Sequence, residues 1–354
     1  MSTLFDKIVS MENLIKAYKK TQAGAGKYPA AALRFQKDEV ANLLDLQRDL
    51  IMGTYEFGEY YSFYVYEPKK RLIHAPPYRS KIVQLAINEQ LKPILYPKFI
   101  THSYACIDDK GTHRAVDQVQ YYMRTAQRLY GTAAYTVNID ISKFFYSINR
   151  ELLKERLARK IKCDRTLELI FYIIDTSADL SDRGLPLGNT LSQMFANVVM
   201  DQVDQYAKRV MGIKHYVRYM DDIIAIAPDK ETASRWMNEL KWFIEEKVDL
   251  QLNPKKSQIF PLAQGCNAYG FKIWPTHKLL RDDSKRRIKQ KAKKFPRLLE
   301  EGLIAPSKVE QIFNSWLGHA SNANSHNFIQ QLLHKNNYIY INKSGTIKVK
   351  EWIK

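Results

Sequence analysis

The chain is poor in cysteine, in acid and in long apolar runs, and each shortage removes a class of explanation. Its 354 residues include three cysteines, Cys106, Cys163 and Cys266, which lie far apart. They fit neither a disulfide framework nor a zinc-ligand spacing, so they are expected to be reduced packing residues. No apolar stretch is long enough to span a bilayer. The first residues, broken by Asp6 and Lys7, lack the apolar centre of a secretory signal. A soluble cytoplasmic protein is therefore expected. There is no internal repeat and no low-complexity tract. Acid is the most telling shortage: 37 Asp and Glu against 55 Lys and Arg leave a net charge of +18.

That excess points to a polyanionic partner, with nucleic acid first. A membrane surface comes second, but no long basic amphipathic helix with a bulky apolar face supports it. The 22 tyrosines, interleaved with basic residues, also suit stacking on bases. A hydrophobic content of 45% is normal for a folded globular protein, and the length favours two or three subdomains.

Periodicity gives the elements. Residues 1–55 read as helical, broken at Gly24 to Lys27. Residues 59–75 alternate and read as a hairpin turning at Glu67-Pro68-Lys69-Lys70; residues 79–97 read as a helix. A strand over 134–139 ends in Asp140, and helices follow at 150–159 and 165–176. Gly184-Leu185-Pro186-Leu187-Gly188 reads as a loop opening a helix through Leu191, Met194, Phe195, Val198 and Val199. Tyr219-Met220-Asp221-Asp222 lies between apolar runs and reads as strand, turn, strand. Residues 230–247 form an amphipathic helix with Trp236, Leu240, Phe243 and Ile244 inward. Strands are expected at 250–252, 257–260 and 268–273. After Trp274-Pro275 the composition changes: nine of the 17 residues from Arg281 to Arg297 are basic. A helical tail through Trp316 and Phe328 ends in strands near 338–341 and 346–349. The fold class is α+β, a mostly antiparallel sheet with helices on one face.

The chemistry concentrates in three aspartates. Asp221 and Asp222 are adjacent at a turn, where each resists ionisation of the other; a divalent cation would remove that cost. Read alone, the pair could be ordinary polar turn residues. Asp140, at a strand end, could equally cap a helix. Together they can form a site for two hard cations doing phosphoryl transfer, with the Ile141 carbonyl as a further ligand.

Asp140 with an aromatic five residues on, Gly184-Leu185-Pro186-Leu187-Gly188-Asn189-Thr190-Leu191-Ser192-Gln193, and Tyr219-Met220-Asp221-Asp222 resemble, in order, motifs A, B and C of reverse transcriptases. Leu252-Asn253-Pro254-Lys255-Lys256-Ser257 resembles motif D, and Ala268-Tyr269-Gly270-Phe271-Lys272-Ile273 the primer-grip hairpin. Leu187 before the glycine, with Ser192-Gln193 following, is similar to the enzymes of diversity-generating retroelements rather than to the intron type. So are Tyr66 through Ile73, Asp109-Lys110-Gly111-Thr112-His113, Ile273 through Leu280, and Ser315 through Ala320.

The resemblance implies a right-hand polymerase with fingers, palm and helical thumb. It places an N-terminal helical extension at 1–58 and fingers at 59–133. The palm, with inserted fingers elements and the primer grip, covers 134–278, and a basic thumb and tail 279–354. It implies cDNA synthesis on a template RNA from dNTPs in a bacterial or phage-infected cell, error-prone at template adenines, with a small helical accessory variability protein. The metal would be two Mg²⁺, with Mn²⁺ as an alternative, held by Asp140, Ile141, Asp221 and Asp222. Arg71 would clamp the triphosphate, Phe145 would exclude a 2′-hydroxyl, and Leu187, Gly188 and Gln193 would contact the nucleotide. Lys256, with Lys255 its close rival, would protonate the leaving pyrophosphate. Tyr219, Lys285, Arg286, Arg287, Lys289, Lys293 and Lys294 would bind nucleic acid. His113, His277 and His319 lack ligand spacing and are expected to be structural. A retron, intron or phage-defence enzyme, or a non-catalytic RNA-binding scaffold, remains the alternative.

Overall fold

The computed structural model describes residues 2–23, 30–66, 69–176 and 183–350. The expected break after Gly24 and the Glu67-Pro68 half of the expected hairpin turn lie outside these residues. Four helices open the chain: α1 (Leu4–Val9), α2 (Met11–Thr21), α3 (Ala30–Lys37) and α4 (Glu39–Met52). The first starts on a reciprocal cap, Thr3 with Asp6, and the second on the Ser10 hydroxyl, which accepts from the Asn13 amide. The hairpin β1 (Tyr61–Val65) and β2 (Arg71–Ala75) follows, then α5 (Tyr78–Leu95) and α6 (Thr112–Tyr130). Next come β3 (Tyr135–Ile139), the single turn α7 (Phe144–Ser147), α8 (Arg150–Lys160), α9 (Asp164–Asp175) and α10 (Thr190–Gln205). A hairpin, β4 (Tyr216–Tyr219) and β5 (Asp222–Ala227), precedes α11 (Lys230–Lys247). Short strands β6 (Gln258–Pro261), β7 (Cys266–Ala268), β8 (Phe271–Ile273) and β9 (Lys278–Leu280) lead into α12 (Asp282–Glu300), α13 (Pro306–Ala320) and α14 (His326–Lys335). The chain ends in β10 (Ile339–Ile341) and β11 (Ile347–Val349).

One sheet has the strand order β4-β5-β3-β6; β7-β8-β9 form an antiparallel three-stranded sheet, and the other two sheets are antiparallel pairs. The mixed α+β class expected from the sequence is what is found. The chain divides into two compact units: Met1–Lys110 with Asn138–Ile223 and Arg235–Gln258, and Gly111–Val137 with Ile224–Ser234 and Ile259–Lys354.

In the first unit, α5 packs against α2 and α10. Its Ile82, Val83, Ala86, Ile87, Leu91 and Leu95 are buried at helical spacing. Helix α10 is buried on nearly all sides, from Leu191 and Ser192 to Val203 and Asp204. In the second unit, Ile288, Ala292 and Phe295 of α12 pack with Val309 and Phe313 of α13 and Leu332 of α14. Their spacing of four and three residues confines the basic side chains of α12 to its other faces.

Four expectations need correction. No strand forms at 250–252; Leu252 makes an isolated bridge with Ile141, because Pro254 and the turn after it stop the ladder. Residues 268–273 are two strands, reversed at Tyr269 (φ 50°) and Gly270 (φ 93°). Along the inward face of α11, Leu240 and Ile244 are buried but Trp236 and Phe243 only half-buried. Among the cysteines, Cys266 is buried, Cys163 half-buried and Cys106 exposed, so the packing role holds for Cys266 alone. Helix α6 was unforeseen, although Ala115, Val116, Val119, Met123 and Ala126 line one face of it.

The loop before α10 is bound to β2. The His74 amide donates to the Leu187 carbonyl at 2.7 Å. Gly188, at φ +118°, lies so close that a Cβ would come within 2.7 Å of the His74 carbonyl oxygen and 2.9 Å of Ile73 Cγ2. Only glycine tolerates both constraints. Gly188→Ala is expected to destabilise the fold by about 1–3 kcal/mol, the usual scale of such backbone strain. Thermal melting checks this; an unchanged Tm would show that β2 yields freely.

Candidate active site

Asp140 follows the last residue of β3, and Asp221 and Asp222 occupy the turn and first position of the β4–β5 hairpin. Turn residue Met220 takes a left-handed conformation (φ 57°), which reverses the chain within two residues. The three carboxylates come together. Asp140 is 3% exposed, and its carboxylate and that of Asp222 meet within hydrogen-bond range. Burial pushes both Asp221 and Asp222 above the usual carboxylate range, and the charges of their neighbours add to it. For Asp222 the neighbours are Asp221 and then Asp140.

Two cations answer this charge. Lys256 Nζ lies 2.5 Å from Asp140 Oδ2, and Arg71 on β2 is close enough to favour the ionised form of Asp221. The turn carrying Lys256 is tied to Asp140: the Asn253 amide donates to the Asp140 carbonyl at 2.7 Å, and the Asp140 amide to Ser257 Oγ at 3.2 Å. Lys255 has no such contact; its amide bonds Asn253 Oδ1. The structure thus brings Lys256 to the carboxylates rather than Lys255, and it sits on a carboxylate rather than standing clear to meet a phosphate.

The donor set fits a divalent cation. Three hard carboxylates face two protein cations, and two of them are held in an unfavourable ionisation state without further charge. The Ile141–Leu252 bridge is carried by Asn253 to Asp140 and by Ser142 to Gln251 (2.8 Å), so it does not consume the Ile141 carbonyl. Among the described residues no group of three or more His, Cys, Asp and Glu forms a ready-made cage. A partial shell is what Mg²⁺ accepts, since it keeps several waters or phosphate oxygens.

Phe145, Leu187, Gly188, Gln193 and Tyr219 belong to the same unit. Phe145 is half-buried on α7, and its carbonyl accepts from the Leu185 amide at 2.7 Å. The Gly184 amide donates to the Ile148 carbonyl at 2.7 Å, and Arg150 Nε to the Gly184 carbonyl at 3.0 Å. The loop 184–188 is therefore pinned to the α7–α8 segment at one end and to β2 at the other. Leu187 is half-buried, Gly188 and Gln193 are exposed, and Tyr219 is half-buried at the end of β4. Lys285, Arg286, Arg287, Lys289, Lys293 and Lys294 belong to the second unit, on α12. The histidines pack on aromatic neighbours: His277 stacks on Trp274 at 4.6 Å, and His319 packs on Phe271 at 4.4 Å and beside His113 at 5.8 Å.

One group was missed. Arg218, a charge inside the apolar run before the turn, is wholly buried and paired with wholly buried Asp204. The signal was present in the sequence: arginine does not enter a strand core without a buried partner.

Carboxylates at a strand end and a hairpin tip, beside an arginine-bearing hairpin and a glycine loop, are the kind of donor set that cation-assisted phosphoryl transfer requires. The comparisons give the family. The profile of the family described as reverse transcriptase (RNA-dependent DNA polymerase) matches residues 67–289, and the chain belongs to it. It is similar to the protein YkfC of Escherichia coli (strain K12), 23% identical over 263 residues, 62% of this chain and 67% of YkfC. It is also similar to the group II intron-encoded protein LtrA of Lactococcus lactis subsp. cremoris, 21% identical over 310 residues, 68% of this chain. The chain covers half the length of LtrA. Among solved structures, telomerase from Candida tropicalis with a fragment of telomeric RNA matches at TM-score 0.48 and 13% identity. That match covers 82% of this chain and 58% of the telomerase chain. Telomerase from Candida albicans matches at TM-score 0.46 and 13% identity, over 68% of this chain and 49% of its own.

The Lys256 contact generates a test. An ammonium on Asp140 competes with any cation the carboxylates bind. Lys256→Ala is expected to increase the rise in Tm produced by millimolar Mg²⁺, because a ligand stabilises in proportion to its affinity for the folded state. An equal or smaller rise would show that Lys256 and metal do not share the site.

Proposed function

We propose that the chain is an RNA-directed DNA polymerase that copies a retroelement template RNA into cDNA with two Mg²⁺. Convergence of Asp140, Asp221 and Asp222 carries this reading. When bound, the ions would supply charge to the attacking hydroxyl and the triphosphate. The remaining work falls to side chains. Arg71 presents a planar fork of donors to the triphosphate from β2. Phe145 would exclude a sugar 2′-hydroxyl, Gly188 would let the backbone approach the nucleotide, and Leu187, Gln193 and Tyr219 would contact it. Lys256, beside Asp140, would balance or protonate the leaving group. Fingers, palm and thumb would correspond to 59–133, 134–278 and 279–354.

The finer reading is a diversity-generating retroelement enzyme, working in the cytoplasm with a small helical accessory protein and making errors at template adenines. Leu187 supports it. The Leu187 carbonyl is engaged by β2, and its side chain offers no donor or acceptor. Without a polar group at that place, accepting a mispair costs less, because the penalty of an unpaired polar group is missing.

The basic run is divided in a way the sequence did not reveal. Lys285 pairs with Asp282 at 3.3 Å, and Arg287 with Asp283 at 3.2 Å, both on α12 itself. Lys289 and Lys293 instead line a cleft of about 320 Å³ with Phe328, Gln331, Leu332 and Lys335. Lys289 lies over the Phe328 ring at 5.2 Å. This face suits a nucleic-acid strand better than the acid-paired face.

Two measurements test these readings. Primed synthesis on an RNA template, with the product sequenced, is expected to fail in Asp221→Asn/Asp222→Asn while RNA binding persists. Errors opposite adenine are expected in wild type and fewer in Leu187→Gln. Accurate wild-type product would remove the mutagenic role, and synthesis by the double asparagine variant would remove the site. The second is RNA affinity against salt. Lys289→Gln/Lys293→Gln is expected to lower the log–log slope by about 1.4, at ~0.7 per phosphate contact on a single strand. An unchanged slope would place the RNA elsewhere.

A further inference from the structure

Arg218 has five N–H donors, and all five are used. Nε donates to Asp204 Oδ1 and Oδ2 at 2.8 and 2.9 Å. Nη2 donates to Asp204 Oδ2 and to Ser103 Oγ, both at 2.8 Å. Nη1 donates to Asn197 Oδ1 at 3.0 Å and to the Met220 carbonyl at 2.9 Å. The acceptors are fixed in turn. Asp204 also accepts from the Tyr216 hydroxyl at 2.8 Å, and Asn197 donates to the Ala105 carbonyl at 2.8 Å. The Arg218 backbone is held between His102 and Tyr104, each at 3.0 Å.

The Met220 bond matters most. Met220 is the left-handed turn residue, and its carbonyl belongs to the peptide that carries the Asp221 amide. A residue with a Cβ holds that conformation only when its surroundings fix it. Here the fixing group is a guanidinium with no remaining freedom. We infer that Arg218 is a positioning residue: by anchoring the Met220 carbonyl to α10 through Asp204 and Asn197, it sets the direction in which Asp221 and Asp222 leave the turn. The inference rests on reading those two aspartates as the catalytic pair. Arg218 is fully buried, so its role runs through the turn. Lysine cannot replace it, because three donors on one nitrogen cannot reach acceptors spread around a plane.

The test uses the full chain and the variants Arg218→Lys, Asp204→Asn, Ser103→Ala and Asp221→Asn/Asp222→Asn. The readouts are Tm, RNA affinity, kcat and KM for dNTP, and the rise in Tm on adding Mg²⁺. Arg218→Lys is expected to bind RNA and dNTP within a few-fold of wild type but to lose kcat by about 10²-fold, the scale of a 1 Å misplacement. Its Mg²⁺-induced rise in Tm should shrink. Ser103→Ala removes a bond on the far side of the guanidinium and is expected to lower Tm while keeping kcat. A folded Arg218→Lys with wild-type kcat and Mg²⁺ response would overturn the inference. So would equal kcat losses in Arg218→Lys and Ser103→Ala at matched Tm, which would mark a merely structural network. If Arg218→Lys does not fold, Asp204→Asn, which loosens the fork while keeping an acceptor, must show the same fall in kcat at constant KM. Failure of both to fold would assign the pair to the fold and sink the positioning role. Activity in the double asparagine variant would sink the active-site reading itself, a result distinct from all of these.

Discussion

The buried ion pair of Arg218 and Asp204 is the constraint on which the centre of the first unit depends. Both side chains are fully removed from water, which costs several kcal/mol per ion before any attraction is counted. Such a pair is favoured as its donors are answered, and here all five N–H donors of Arg218 have acceptors. The same bonds knit together elements distant in sequence: Ser103 from the segment after α5, Asn197 and Asp204 from α10, and Tyr216 and Met220 from the hairpin. Breaking such a pair by removing one partner generally costs about 3–5 kcal/mol. A network this demanding cannot adjust gradually, so it gives the turn one geometry.

On the other side of that turn the electrostatics run the opposite way. Behind the turn, charge is balanced within the protein. In front of it, Asp140, Asp221 and Asp222 crowd together, and burial holds Asp221 and Asp222 above the ordinary carboxylate range, with Lys256 and Arg71 offsetting them. A rigid support is needed because mutually repelling carboxylates would otherwise rotate apart. The buried pair and the strained site are thus two halves of one device. Satisfied charge holds one peptide in place, and that peptide leads into the crowded carboxylates.

The sequence was legible wherever chemistry and periodicity coincided. The strand ending in Asp140, the Asp221–Asp222 turn, the loop before α10 and the helices at 150–160, 164–175 and 230–247 could all be placed from local pattern. Expectations failed where tertiary contact decides the outcome. Leu252 forms one bridge instead of a strand because its partner is a single residue beyond β3. Arg218 was passed over because nothing local reveals that Asp204, fourteen residues earlier, turns inward to meet it. The cleft that Lys289 and Lys293 line was likewise hidden, because Phe328, Gln331 and Leu332 come to it from another helix. Spacing shows which face a residue shares, but not which partner occupies that face.

The loop that carries Leu187 separates two tasks that could have been joined. Its backbone does the structural work: the Leu187 carbonyl bonds β2, Gly188 abuts His74 and Ile73, and Gly184 is tied to Ile148 and Arg150. None of these contacts uses the Leu187 side chain. Position 187 can therefore change its polarity with little consequence for the loop, whereas Gly188 beside it cannot accept even a methyl group. On the proposed reading, such a loop would keep its geometry in the backbone and leave selectivity to one exchangeable side chain.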